Sequence, residues 1–220
     1  MTDSQYSLER KTMVATQIAA RGISDPRVLR VMGKVPRHRF VPLDDLAYAY
    51  SDDPIPIGHG QTISQPYIVA LMTSLLELTS SSRVLEVGTG SGYQAAVLGE
   101  LVREVHTIEL IPELASKAES VLRLLAYDNV HVHLGDGSLG WLESAPYDGI
   151  LLAAAAPSVP KGILEQLAKN GRLVVPVGDR EYQRLEIWKR TSQGFTSEKG
   201  IPVAFVPLRG QFGWNKREMY

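Results

Sequence analysis

Arg83-Val84-Leu85-Glu86-Val87-Gly88-Thr89-Gly90-Ser91-Gly92 is a short apolar strand with one acid inside it, running directly into three glycines at alternate positions. Apolar residues that stop at Gly88 read as a buried strand. Gly88, Gly90 and Gly92 let the chain turn sharply and bring bare backbone against a ligand. A helix is expected from about residue 93, so the order is strand, glycine loop, helix, which points helix N-terminal amides at a nucleotide-type ligand.

Downstream of this stretch strands and helices alternate: strand 103–110, helix 112–126, strand 130–135, strand 147–154, a helix from about 160 to 169 closed by Asn170-Gly171, and strand 172–177 ending at Gly178. This is the rhythm of a parallel sheet. Segments 184–190 and 202–207 follow after short polar gaps and read as an antiparallel edge. Upstream, residues 6–20 put Leu8, Val14 and Ile18 near one helical face before Gly22. Asp25 caps a second helix with Pro26 at its first position, running to Pro36. Residues 36–65 hold four prolines and Gly58 and Gly60, so a loop-rich arm is expected there. A third helix opens at Pro66. The fold class is α/β, a doubly wound, mostly parallel sheet with an N-terminal helical and loop extension and an antiparallel C-terminal edge. A single domain spans 1–220, with 1–80 as a substrate and lid region, 81–208 as the α/β core and 209–220 as a loosely ordered tail.

The 220 residues suffice for one α/β core. A net charge of -1 gives no whole-chain drive toward nucleic acid or an anionic membrane, and neither is expected as a partner. With zero cysteines, disulfides, iron–sulfur clusters, thiolate nucleophiles and Cys-type zinc sites are excluded, and a reducing cytoplasmic setting is expected. No signal peptide or transmembrane helix is apparent, since the longest apolar run covers only 150–156.

A Gly-x-Gly-x-Gly loop on its own fits dinucleotide enzymes and structural turns alike. Its acidic neighbours sharpen the reading. Glu109 closes the next strand about twenty residues on, where a carboxylate can accept from two ribose hydroxyls. Glu86 would sit close to a pyrophosphate and repel it, which disfavours a dinucleotide and favours S-adenosylmethionine, a cofactor with a sulfonium and an ammonium group and no phosphate. Asp136, in Gly135-Asp136-Gly137, stands at the end of the third strand and is placed to face an adenine amine. Singly, each acid reads most simply as a locally bonded loop or strand-end residue. Three at successive strand ends point to a site.

With Val35-Pro36-Arg37-His38-Arg39-Phe40-Val41-Pro42, Gln61-Thr62-Ile63-Ser64-Gln65-Pro66-Tyr67, Ala153-Ala154-Ala155-Ala156-Pro157 and Phe205-Val206-Pro207-Leu208 added, the chain resembles the protein-L-isoaspartate O-methyltransferases from about residue 8 to 208, in their bacterial form. The resemblance implies a Rossmann-like methyltransferase fold, S-adenosyl-L-methionine as cofactor with S-adenosyl-L-homocysteine as product, and isoaspartyl proteins and peptides as substrates. It implies a catalytic role for Ser64, which by position alone would be a helix cap. It also implies a cofactor lid formed by Pro66, Tyr67 and the start of the helix they open, beside the cofactor contacts expected of the loop and strand ends at Glu86, Gly88, Gly90, Gly92, Glu109, Leu110, Asp136 and Gly137.

Methyl transfer to a carboxylate needs no general base, because the nucleophile is already ionised at neutral pH. A serine hydroxyl suits the remaining task of orienting it. Ala153 to Ala156 offer no side-chain acceptor for a nucleic-acid amine and leave room for a peptide backbone. Other readings are a methyltransferase acting on a nucleic-acid amine or a small metabolite, and a nucleotide-binding regulator or dehydrogenase. His131 and His133 share a strand face without an apparent third ligand, so no metal is expected. Arg37-His38-Arg39 reads as a solvated charged turn or as a contact to the substrate carboxylate.

Overall fold

The computed structural model describes residues 2–214. Its centre is a seven-stranded sheet: β3 (Arg83–Val87), β4 (Glu104–Glu109), β5 (Val130–Leu134), β6 (Tyr147–Leu152), β7 (Leu167–Gly178), β8 (Gln183–Thr191) and β9 (Gly194–Val203). The order is β5-β4-β3-β6-β7-β8-β9, parallel from β5 to β7 and antiparallel from β7 to β9. The order reverses between β3 and β6, and in an open α/β sheet a ligand binds beyond the carboxyl ends of the strands at such a switch point. Val84, Leu85, Val105, Ile150, Leu151, Leu173 and Val174 are fully buried, as central parallel strands require.

The helices α4 (Tyr93–Gly99), α5 (Pro112–Leu124) and α6 (Lys161–Glu165) lie in the crossovers. The N-terminal layer holds α1 (Asp3–Thr12), α2 (Pro26–Met32) and α3 (Pro66–Leu75). The first helix begins earlier than its apolar pattern suggests, because Thr2 and Gln5 form a reciprocal capping box. It then passes into a π-helical segment, Met13–Ile18, and ends at Gly22, whose φ is 95°. Asp25 caps α2 through the Arg27 amide with Pro26 in the first turn, as its sequence indicates, but the helix stops at Gly33, ahead of Pro36.

Three expectations are corrected. The arm 36–65 is not all loop: β1 (Ile55–Gly58) and β2 (Gln61–Ile63) form an antiparallel hairpin on which Ile55, Ile57 and Ile63 turn inward. Asn170-Gly171 does not cap a long helix. The helix ends at Glu165 and β7 already begins at Leu167, with Asn170 at φ 65° inside the strand. The last strand also starts earlier than expected, at Gly194. The segment 206–208 lies beside Ala155 instead, with the Ala155 amide donating to the Val206 carbonyl and the Leu208 amide to the Ala155 carbonyl, both at 2.8 Å. Of the tail, 209–214 is held by hydrogen bonds that the Gln211 and Phe212 amides and the Trp214 indole donate to Asp136, Ser138 and Ala155; 215–220 lies outside the described residues.

Candidate active site

A cleft of about 800 Å³, counting its open mouth, lies beyond the carboxyl ends of β3, β4 and β6, where an open α/β sheet takes its ligand. Its floor is the glycine loop. Gly88 and Gly90 line it with φ of 96° and 53°, a left-handed backbone that a side chain would strain. Gly92, at φ 86°, does not line the cleft. It is the N-cap residue of α4, and a Cβ there would press on Ala118 and Leu122 of α5 at 3.3 Å, so this glycine serves helix packing. Gly137 lines the cleft, and a Cβ on it would meet Val87 Cγ1 at 2.6 Å.

Glu86 sits inside β3, in register with Thr107 of β4 and Leu151 of β6, and is fully buried. It is therefore not at a strand end. The Thr107 hydroxyl donates to its Oε2 at 2.6 Å, and the Thr89 hydroxyl lies 2.7 Å from that of Thr107. Oε1 has no partner. Burial drives the Glu86 carboxyl up to about 8, with a smaller push from nearby Glu109, against the opposing Thr107 bond. In the protein alone burial therefore favours the neutral carboxyl, and a positive charge beside it would oppose that shift. Glu109 is also buried, but its oxygens are engaged, Oε2 by the Gly90 amide at 2.9 Å and Oε1 by the Ile111 amide at 3.0 Å. It thereby ties the glycine loop to the start of α5, and Leu110 lines the cleft beside it.

Ser64 lines the cleft between β2 and α3. It does not cap α3: Gln65 holds the N-cap position, without a side-chain capping bond. The segment is anchored by Asp52, which accepts from Gln65 Nε2 at 2.6 Å and the Tyr67 amide at 3.2 Å and pairs with Arg21 at 2.6 Å. Pro66 is buried and Tyr67 carries the Arg21 guanidinium 3.5 Å over its ring. Neither lines the cleft; residues 61–64 do.

Asp136 also stands apart from the cleft lining. Its Oδ1 accepts from the Ser138 amide and hydroxyl at 2.9 and 2.6 Å, and its Oδ2 from the Gln211 amide at 2.7 Å. In this structure the carboxylate holds the tail. Ala153 and Ala154 line the cleft, whereas the space beside Ala155 is filled by the chain's own 206–208 segment.

Sequence reasoning missed Thr89 and Thr107, which no spacing rule marks, and the wall formed by Val206, Pro207, Leu208 and Arg209. Arg37 is not solvated. It is fully buried, Nε donates to the Ala49 carbonyl at 2.8 Å, neither Nη atom has a partner among the described residues, and burial lowers it to about 10. His38 stacks on Tyr6 and Arg39 is exposed. His133 packs on Trp141 and contacts His106 at 2.9 Å, away from the cleft.

Comparison with known proteins agrees with this geometry. Residues 8–213 match the family profile "Protein-L-isoaspartate(D-aspartate) O-methyltransferase". A protein-L-isoaspartate O-methyltransferase of Trichlorobacter lovleyi is 55% identical over 210 residues, 95% of this chain and 97% of that protein. One from a Picosynechococcus species is 55% identical over 91% of this chain and 90% of that one. Among solved structures, a protein-L-isoaspartate O-methyltransferase superposes with a TM-score of 0.84 at 26% identity, covering 93% of this chain and 67% of its own. A Plasmodium falciparum structure described as this enzyme in complex with S-adenosyl-L-homocysteine does so with a TM-score of 0.79 at 26% identity, over 91% and 98%.

Proposed function

The chain belongs to the protein-L-isoaspartate(D-aspartate) O-methyltransferase family, and we propose that its cleft holds S-adenosyl-L-methionine while Ser64 directs an isoaspartyl carboxylate toward it. The enzyme methylates the free α-carboxylate of L-isoaspartyl residues in aged proteins and peptides. The methyl ester carries methoxide as its leaving group, so the next backbone nitrogen can attack the ester carbonyl, lose its proton and expel methanol to form a succinimide, whose hydrolysis returns some normal aspartate.

The observation that carries the cofactor reading is Glu86. Glu86 Oε1 is buried and finds no partner among the described residues, so a donor or cation from a ligand would satisfy it and favour the ionised carboxylate. A ligand with ammonium and sulfonium groups and no phosphate supplies positive charge there. Glu109 retains one lone pair on each oxygen beyond its backbone amides, enough for two ribose hydroxyls. The left-handed turns at Gly88 and Gly90 hold backbone at the floor with no Cβ in the way. Asp136 is read as reaching the adenine end indirectly, through the tail it fixes. S-Adenosyl-L-methionine, when bound, supplies a methyl carbon made electrophilic by its sulfonium sulfur.

Ser64 donates a hydrogen bond to the spare oxygen of the substrate carboxylate and fixes the direction of the other, without the charge neutralisation an arginine would impose. Asp52 supports this by anchoring Gln65 and Tyr67, so the serine is carried on a pinned segment between hairpin and helix. No proton has to be removed from the nucleophile. The apolar wall of Val206, Pro207 and Leu208 excludes water from the approach. A net charge of -1 supports a peptide over a nucleic acid as substrate. Among the described residues no helix is long and apolar enough to cross a membrane, and with zero cysteines a cytoplasmic location is our reading.

S-Adenosyl-L-homocysteine should raise the thermal midpoint and NAD should leave it unchanged. Stabilisation by NAD instead would return the glycine loop to the dinucleotide class.

A further inference from the structure

Arg209 stands at the mouth of the cleft with no part in the chemistry above. Among the described residues lining that cleft it is the one Lys, Arg or His. Its side chain is exposed, and no ion pair of the described residues includes it. Its backbone is fixed from both sides. Upstream, the Leu208 amide donates to the Ala155 carbonyl at 2.8 Å. Downstream, the Gln211 amide donates to Asp136 Oδ2 at 2.7 Å and the Phe212 amide to Ser138 Oγ at 3.0 Å. The Trp214 indole closes the strap on the Ala155 carbonyl at 2.9 Å. Gly210 fits against Asp136 where a Cβ would collide. A cation on a pinned backbone, beside a cavity otherwise walled by acids and neutral groups, is arranged to meet an anion that arrives with the substrate.

The nucleophilic carboxylate itself is a poor choice for that anion, because a bidentate guanidinium would withdraw the charge that attack requires. A second carboxylate, on a residue adjoining the isoaspartyl, fits both the exposure of Arg209 and its place at the rim. We propose that Arg209 is a specificity-determining residue that favours isoaspartyl sites flanked by Asp or Glu. This rests on the isoaspartyl reading of the cleft. An exposed pair of this kind is worth about a two- to fivefold change in affinity, screened by salt.

The test uses isoaspartyl peptides that differ only in carrying Glu or Gln beside the isoaspartyl residue, one side at a time. They are offered to the wild-type enzyme, Arg209→Gln and Arg209→Lys. Initial rates give KM and kcat, and calorimetry with the S-adenosyl-L-homocysteine-loaded enzyme gives peptide affinity without turnover. The expected wild-type result is a KM for the Glu peptide about two- to fivefold below that for the Gln peptide on one flank, with matching kcat, a preference that fades in ~0.5 M salt. Arg209→Gln should bring the ratio of the two KM values to one, and Arg209→Lys should keep part of it. No flank preference in the wild type, a preference surviving in Arg209→Gln, or a loss equal for both peptides overturns the assignment. If the wild type methylates neither peptide, the isoaspartyl reading has failed instead.

Discussion

Glu86→Gln should make the empty enzyme more stable at neutral pH while weakening its hold on the cofactor. In the folded chain the Glu86 carboxyl is raised to about 8, against an ordinary value of 4.5, chiefly by burial. The folded state thus binds this proton more tightly than the unfolded chain does, and stability falls as pH rises between those two values. Each pH unit inside the window costs about 1.4 kcal/mol, so the wild type should lose about 2 kcal/mol between pH 6 and pH 8 through this group alone. Gln is close in shape, keeps an acceptor for Thr107 and has no charge to bury. The assay is urea denaturation of both proteins, without ligand, at pH 6, 7 and 8. The expected result is a stability gap in favour of Glu86→Gln that widens with pH, together with weaker binding of S-adenosyl-L-homocysteine by the variant. Parallel pH profiles would refute the raised carboxyl, and unchanged ligand affinity would refute its role toward a cationic cofactor.

Ser64→Ala should lower kcat at least about tenfold and leave S-adenosyl-L-homocysteine affinity and the thermal midpoint near wild type, as expected for an orienting group; a loss of stability with kcat intact would mark it as structural. Gly137→Ala should destabilise by about 1–3 kcal/mol in denaturant, because the new methyl overlaps Val87, and Val87→Ala in the same chain should recover part of the loss. Asp136→Ala should speed proteolytic cleavage within 209–214, where Asp136→Asn, which keeps an acceptor, should do so less. On the acid side, His133 is lowered to about 4 by burial, then by His106 and His131, so it stabilises the fold above its ordinary value of 6.5 and that support is lost as pH falls toward 4. His133→Gln should flatten the acid limb of the stability profile over that interval.

The parallel core was legible because buried strands and glycine turns leave a sequence period and a composition that few other structures share. The stretch 83–92 gave β3 and the loop almost residue by residue. Hidden features were those decided by tertiary contact. The β1–β2 hairpin lies among prolines and glycines that read as loop, and its order comes from Ile55, Ile57 and Ile63 packing inward. Asn170-Gly171 carries a helix-stop signal, yet strand pairing with β6 overrides it. At the site, the sequence brought Glu86, Glu109 and Ser64 to one cleft but could not assign their charge or bonds. Whether a carboxyl is ionised depends on burial, and whether an acid faces ligand or chain depends on what the tail does. Asp136 shows the second point: its place in Gly135-Asp136-Gly137 suggests a ligand, and its bonds run to Ser138 and Gln211.

Incubation with methyl-labelled S-adenosyl-L-methionine and a matched pair of peptides, one isoaspartyl and one with normal aspartate at the same position, tests the function itself. Label should enter the isoaspartyl peptide alone and leave as volatile methanol in mild base, as a methyl ester must. Equal labelling of both peptides, or a product stable to base, would contradict the assignment of Ser64 and the cleft to carboxylate methylation.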